Sequence, residues 1–123
     1  MLPVMLIGED AQRLKTISHC IAQSSHTPCR IMQISQQPAL PNPTMPSIIL
    51  LDITEDSQFN VKQYVKNIRL SCSGSGILAS IPFGQEALEK ELIEQGADDL
   101  LIRPVSEQRL ALTLKNLSEI IMM

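Results

Sequence analysis

Residues 48–51 read Ile-Ile-Leu-Leu, four apolar side chains in succession, and the run ends on Asp52. Successive side chains of an extended strand point to opposite faces, so a run apolar at every position needs cover on both. That requirement suits a strand inside a parallel sheet with helices above and below it. Four further runs of strand length, at 2–7, 31–34, 77–81 and 100–102, repeat the pattern. Only 2% of the 123 residues are aromatic while 44% are hydrophobic, so the core must be built from Leu, Ile, Val, Met and Ala.

Between most of these runs the apolar period lengthens to that of a helix. Leu14, Ile17 and Ile21 share a stripe within 10–24, as do Val61, Val65 and Ile68 within 59–70. Leu88, Leu92 and Ile93 do so within 85–95, where Gly96 is a natural helix stop. The last stretch, 106–123, carries Leu110, Leu114, Leu117 and Ile121, with Ser106 placed to cap its start. Strands alternating with helices predict an α/β fold with a doubly wound, five-stranded parallel sheet. One crossover breaks the rule. Residues 35–47 hold Pro38, Pro41, Pro43 and Pro46, and each proline inside a helix costs about 3 kcal/mol, so the second helix is expected to be short or absent.

Ligands of open parallel sheets bind at the carboxyl ends of the strands. The first run leads into Glu9 and Asp10, the third into Asp52 and the fourth into Ser80. Carboxylates crowded together stay ionised only with a cation among them, and oxygen donors with water access suit Mg²⁺ better than zinc. A magnesium site for phosphoryl chemistry is the expectation from the acids jointly; an acid at a strand end taken singly is most often a turn or cap residue, and Glu9 or Asp10 could simply cap the first helix. The net charge of −3 and the lack of a Lys/Arg stripe argue against nucleic-acid binding. Cys20, Cys29 and Cys72 form no C-x-x-C pair, and His19 and His26 supply no zinc spacing. Six methionines read as core filler. The apolar start meets two acids too soon for a membrane span, and a reduced, cytoplasmic protein is expected.

The segments "LIGED", "SIILLDIT", "ILAS" and "GADDLLIRP", in this order and spanning residues 2–105, resemble the receiver domain of two-component response regulators. The resemblance implies a CheY-like, flavodoxin-like sheet of order 2-1-3-4-5 with helices on both faces, filling residues 1–123 as the N-terminal module of a longer response regulator. It implies that Asp52 accepts a phosphoryl group from a histidine kinase or phosphotransfer protein, with self-catalysed transfer and loss and no other enzyme activity. Asp10 and Asp52 would ligate Mg²⁺ with the backbone carbonyl of Thr54, Glu9 acting through water. Ser80 would donate to the phosphoryl oxygen, and Arg103 stands where the family has lysine. Other positions depart from the pattern: Ile81 follows Ser80, Leu100 replaces the usual aromatic, Ile102 precedes Arg103, and Glu55, Asp56 and Ser57 follow the acceptor. The alternative is a pseudo-receiver, the same fold serving as a phosphorylation-independent interaction module. A haloacid-type phosphatase is disfavoured because Thr54 holds the place of its second acid. Leu112, Ile120, Met122 and Met123 add apolar surface to the last helix, which predicts a homodimer through that helix or continuation into an output domain.

Overall fold

The computed structural model describes residues 2–25 and 27–122. Five strands, β1 (Val4–Gly8), β2 (Cys29–Gln33), β3 (Ile48–Asp52), β4 (Gly76–Ile81) and β5 (Asp99–Ile102), form one parallel sheet of order β2-β1-β3-β4-β5. Helices α1 (Ala11–Ser25), α2 (Val61–Ser71), α3 (Glu86–Gln95) and α4 (Glu107–Met122) complete the fold. The expected sheet and its order are both present. Among the described residues no helix is long and apolar enough to cross a membrane.

The pleat of β3 divides the interior. Ile49 and Leu51, with Ile53 just beyond the strand, face α2 and α3 and join Ile7, Val65, Ile68, Ile77 and Leu92. Ile48 and Leu50 face the other way, toward α1 and α4, and join Leu6, Leu14, Ile21, Leu78 and Leu114. Asp52 has the same parity as Leu50, so its carboxylate is directed to the α1/α4 side at the carboxyl end of the strand. That parity places the acid before any partner is considered.

Local sequence sets the helix ends. Asn60 caps α2 by accepting from the Gln63 amide at 3.1 Å, and Phe59 meets Tyr64 edge to face with ring centroids 5.4 Å apart. Ser106 caps α4 by accepting from the Arg109 amide at 3.1 Å, as its position after Pro104 suggested. In α3 only part of the expected stripe is internal: Leu92 is buried, but Ile93 is 47% exposed. One step of about 100° around the helix carries it past the edge of the buried face.

The proline-bearing crossover forms no helix. Residues 34–47 instead run as a loop over the α2 side, fastened where its carbonyls meet buried donors. The Tyr64 hydroxyl donates to the Ala39 carbonyl at 2.7 Å, and the Cys72 thiol to that of Pro41 at 3.6 Å. The chain thereby covers sheet and helix with extended backbone that proline tolerates.

Tyr64 reports on this cover. Burial, with a smaller contribution from Cys72, pushes its phenol up to about 12 from the ordinary value of 10. A group protonated more tightly when folded contributes stability that is fully present below pH 10 and lost as pH rises toward 12, on the order of 2 kcal/mol in all. Tyr64 is the sole tyrosine and there is no tryptophan, so phenolate absorbance reads this residue alone. The folded chain should titrate near pH 12 and the urea-unfolded chain near pH 10. A folded midpoint near 10 would show the loop to be detached.

Candidate functional site

Asp52 ends β3 beside Ser80 of β4, its partner in the sheet register. Its side chain is 0% exposed, a costly place for a carboxylate unless countercharge and donors are supplied. Two guanidiniums supply both. Arg13, in the first turn of α1, donates from Nε to Oδ2 and from Nη2 to Oδ1, each at 2.9 Å, in the fork geometry that matches a carboxylate. Arg103, just past β5, donates from Nη1 to Oδ1 at 3.2 Å.

Arg103 also ties the strand ends together. The same Nη1 reaches the Ser80 carbonyl at 2.9 Å and its Oγ at 3.0 Å, and Nη2 donates to the Ile53 carbonyl. Burial holds the Arg103 pKa below its ordinary value, against the pull of Asp52, and the nearby Arg13 charge acts in the same direction as burial. Arg13 shifts oppositely: its hydrogen bond to Asp52 raises its pKa, with burial opposing. Both remain charged at any physiological pH, so the carboxylate sits permanently between two cations.

The other expected ligands bond backbone amides, with one oxygen of Glu9 left over. Asp10 caps α1, its Oδ1 accepting from the amides of Gln12 at 3.0 Å and Arg13 at 3.2 Å. Glu9 Oε2 accepts from the Gln58 amide at 3.1 Å, while Oε1 is buried without a partner. The Thr54 carbonyl closes a turn by accepting from the Ser57 amide at 3.3 Å. Asp10, Glu55 and Asp56 line an open cleft on the outer side of Arg13 and Arg103.

Solved structures share this architecture over nearly its whole length. A response regulator receiver domain protein from Clostridium thermocellum has TM-score 0.77 at 15% identity, covering 99% of this chain and 100% of that one. The receiver domain of NtrX from Brucella abortus has TM-score 0.79 at 18% identity, over 94% and 98%. The chain has the response-regulator receiver fold. A putative pilus assembly-related protein from Burkholderia pseudomallei shares it too, with TM-score 0.74 at 12% identity over 96% and 90%. No family model and no curated protein matches the sequence.

Within this receiver fold the candidate residues divide into two groups. Asp52, Ser80 and Arg103 converge. Glu9 and Asp10 are bonded to the Gln58 and α1 amides, and among the described residues no group of three His, Cys, Asp or Glu could hold a metal ion, although Asp10 and Thr54 line one cleft. The expected Mg²⁺ does not fit this arrangement. Both Asp52 oxygens accept from arginine, and guanidinium charge already balances the carboxylate. His26 and Met123 lie outside the described residues.

Arg13 is the site residue that motif reasoning passed over. Its signal was local: a cation in the first turn opposes the positive end of the helix dipole, so a specific acid must hold it there. Its place three residues after Asp10 puts it on the helix face that meets the strand ends.

Proposed function

We propose that this chain is a receiver-fold interaction module in which an internal arginine clamp, not a phosphoryl group and its metal, fixes the state of the acceptor position. The observation that carries this reading is the double engagement of Asp52 by Arg13 and Arg103. To attack a phosphoryl donor, a carboxylate oxygen needs a free lone pair in line with phosphorus and a cation on the transferring oxygens. Arg13 and Arg103 together fill both acceptor sites of Oδ1 and one of Oδ2 and draw charge from the oxygen that remains, while Asp10, Glu55 and Asp56 give the outer cleft a charge that repels an anionic donor. The fold itself does not require phosphoryl chemistry.

A second reading rests on the convergence of Asp52, Ser80 and Arg103: a phosphoacceptor served by a histidine kinase or phosphotransfer protein, with Mg²⁺ admitted once Arg13 swings into solvent. Arg13 is 38% exposed and has room to leave. Incubation with Mg²⁺ and acetyl phosphate, followed by intact-mass measurement, separates the two. The clamp reading expects no phosphoryl-sized gain and no spectral response to beryllofluoride. A gain abolished by Asp52→Asn would replace it with the second reading.

The surface we assign to a partner is the outer face of α4, where Leu112, Ile120 and Met122 are exposed. Pairing with a second copy predicts a concentration-dependent mass by sedimentation, reduced by Leu112→Glu. A mass that stays monomeric at millimolar concentration removes the homodimer.

A further inference from the structure

Beneath the clamp, on the α1/α4 side of the sheet, a half-open cleft of about 200 Å³ runs from Asp52 outward. Native interiors seldom leave such a volume unfilled. Its origin is legible in the residues. Thr16 and Cys20, one helical turn apart on α1, line it with Val105 and Ser106, which lead into α4, and these four short side chains leave a gap between α1 and that segment. Ile17, Leu50, Leu101 and Leu110 complete an apolar wall. The inner end is polar, formed by Asp52, Ser80 and the two arginines.

We propose that this cleft binds a small uncharged molecule, mainly apolar, with one acceptor oxygen directed at the clamp. Size sets the first limit: a dry cavity of about 150 Å³ accommodates benzene, so this one takes a ring or branched chain with a short substituent. Charge sets the second. The inner end holds two guanidiniums and one carboxylate, but Asp10 and Glu55 act on those guanidiniums from the outer cleft on their far side and Glu107 lines this one. The carboxylates therefore outnumber the cations, and an anionic head gains nothing from the surrounding field. Donors decide the orientation. Ser80 Oγ accepts from Arg103, which leaves its proton free to donate, and Arg13 bonds Asp52 through Nε and Nη2, leaving Nη1. A carbonyl or ether oxygen satisfies either.

The inference rests on the clamp staying closed, and its test is separate from that of phosphoryl transfer. Acetophenone, benzoate and cumene are of closely similar size and differ in the head: neutral acceptor, anion, none. Titrated into the intact chain, acetophenone should give saturable amide shifts in α1, α4 and the end of β3, with benzoate and cumene each binding at least about tenfold more weakly, the ratio one such hydrogen bond or charge conflict provides. Cys20 gives an independent readout, because its thiol lies in the cleft while Cys29 packs near Ser18. At ten times the dissociation constant, acetophenone should slow Cys20 alkylation about elevenfold and leave Cys29 unchanged. Val105→Phe, at a half-buried position on the cleft wall, should abolish both effects; Ile17→Phe is the second blocking variant should the first fail to fold. The proposal is overturned by absence of saturable shifts, by benzoate binding as tightly as acetophenone, or by undiminished binding in the folded blocked variant. A mass gain with acetyl phosphate would sink the function proposed above and leave these binding results standing.

Discussion

Arg103→Met lowers the unfolding free energy by about 3–4 kcal/mol, the lower part of the range for breaking one side of a buried ion pair, because Asp52 keeps Arg13. The change strips donors from the Ser80 and Ile53 carbonyls and from Ser80 Oγ together with Asp52, in a place where water does not substitute freely. Arg13→Met should cost less, about 1–2 kcal/mol, although Arg13 makes the better fork. Its side chain is 38% exposed against 20% for Arg103, and solvent screens what geometry provides. Asp52→Asn falls between or below these values, because Arg13 is then free to turn to water while Arg103 keeps its carbonyl partners. In the Asp52→Asn background the cost of Arg103→Met should shrink by about 1–2 kcal/mol, the share owed to the charge pair rather than to the carbonyls. Urea midpoints at constant slope measure all four chains. Equal costs for the two arginines would mean that the carboxylate, not the strand-end carbonyls, dominates.

How much of this was legible beforehand follows from which forces act locally. Ile48 to Leu51 could be read as a doubly covered strand because burial on both faces is written in consecutive residues. The loop at 34–47 could be read because proline forbids a helix wherever it stands. The meeting of Asp52, Ser80 and Arg103 followed from topology, since strand ends of one parallel sheet share a rim. The present partners of the three acids were not legible, for a different reason. Whether three carboxylates share a cation depends on which donors reach them first, and Asp10 finds the α1 amides within its own turn while Arg13 closes on Asp52 from 39 residues away. Nothing in the spacing of acids reveals a competing cation; the one clue was a basic residue at the wrong end of a helix dipole. Ile93 misled similarly, because a stripe drawn on a wheel does not say where the neighbouring sheet ends.

Gly96→Ala should lower stability by about 3 kcal/mol, and the melting temperature by on the order of 10 °C. Gly96 ends α3 with φ +120°, a conformation that L side chains rarely adopt, and its amide donates back to the Ile93 and Leu92 carbonyls. Strain is only part of the effect. A Cβ there would stand 2.9 Å from Cγ and 3.0 Å from Cβ of Arg69, the near end of a side chain that has no freedom to retreat. Arg69 holds the Gly96 carbonyl through Nε at 3.1 Å and Nη2 at 2.9 Å, the Ser75 carbonyl through Nη1 at 2.9 Å, and the Asp98 carboxylate. Asp98 in turn accepts from the Ile77 amide at 2.7 Å, so the starts of β4 and β5 are pinned by the cation that alanine would displace. Gly84 separates the two contributions. It has φ +87° with open space around it, so Gly84→Ala carries backbone strain alone, about 1 kcal/mol. If thermal melts show both variants losing the same amount, Arg69 is not the hub described. If Gly96→Ala loses the larger amount and also shifts the Arg103 side-chain resonances, the register of β5 is what holds the clamp arginine at Asp52, and helix α3 is mechanically connected to the site it does not touch.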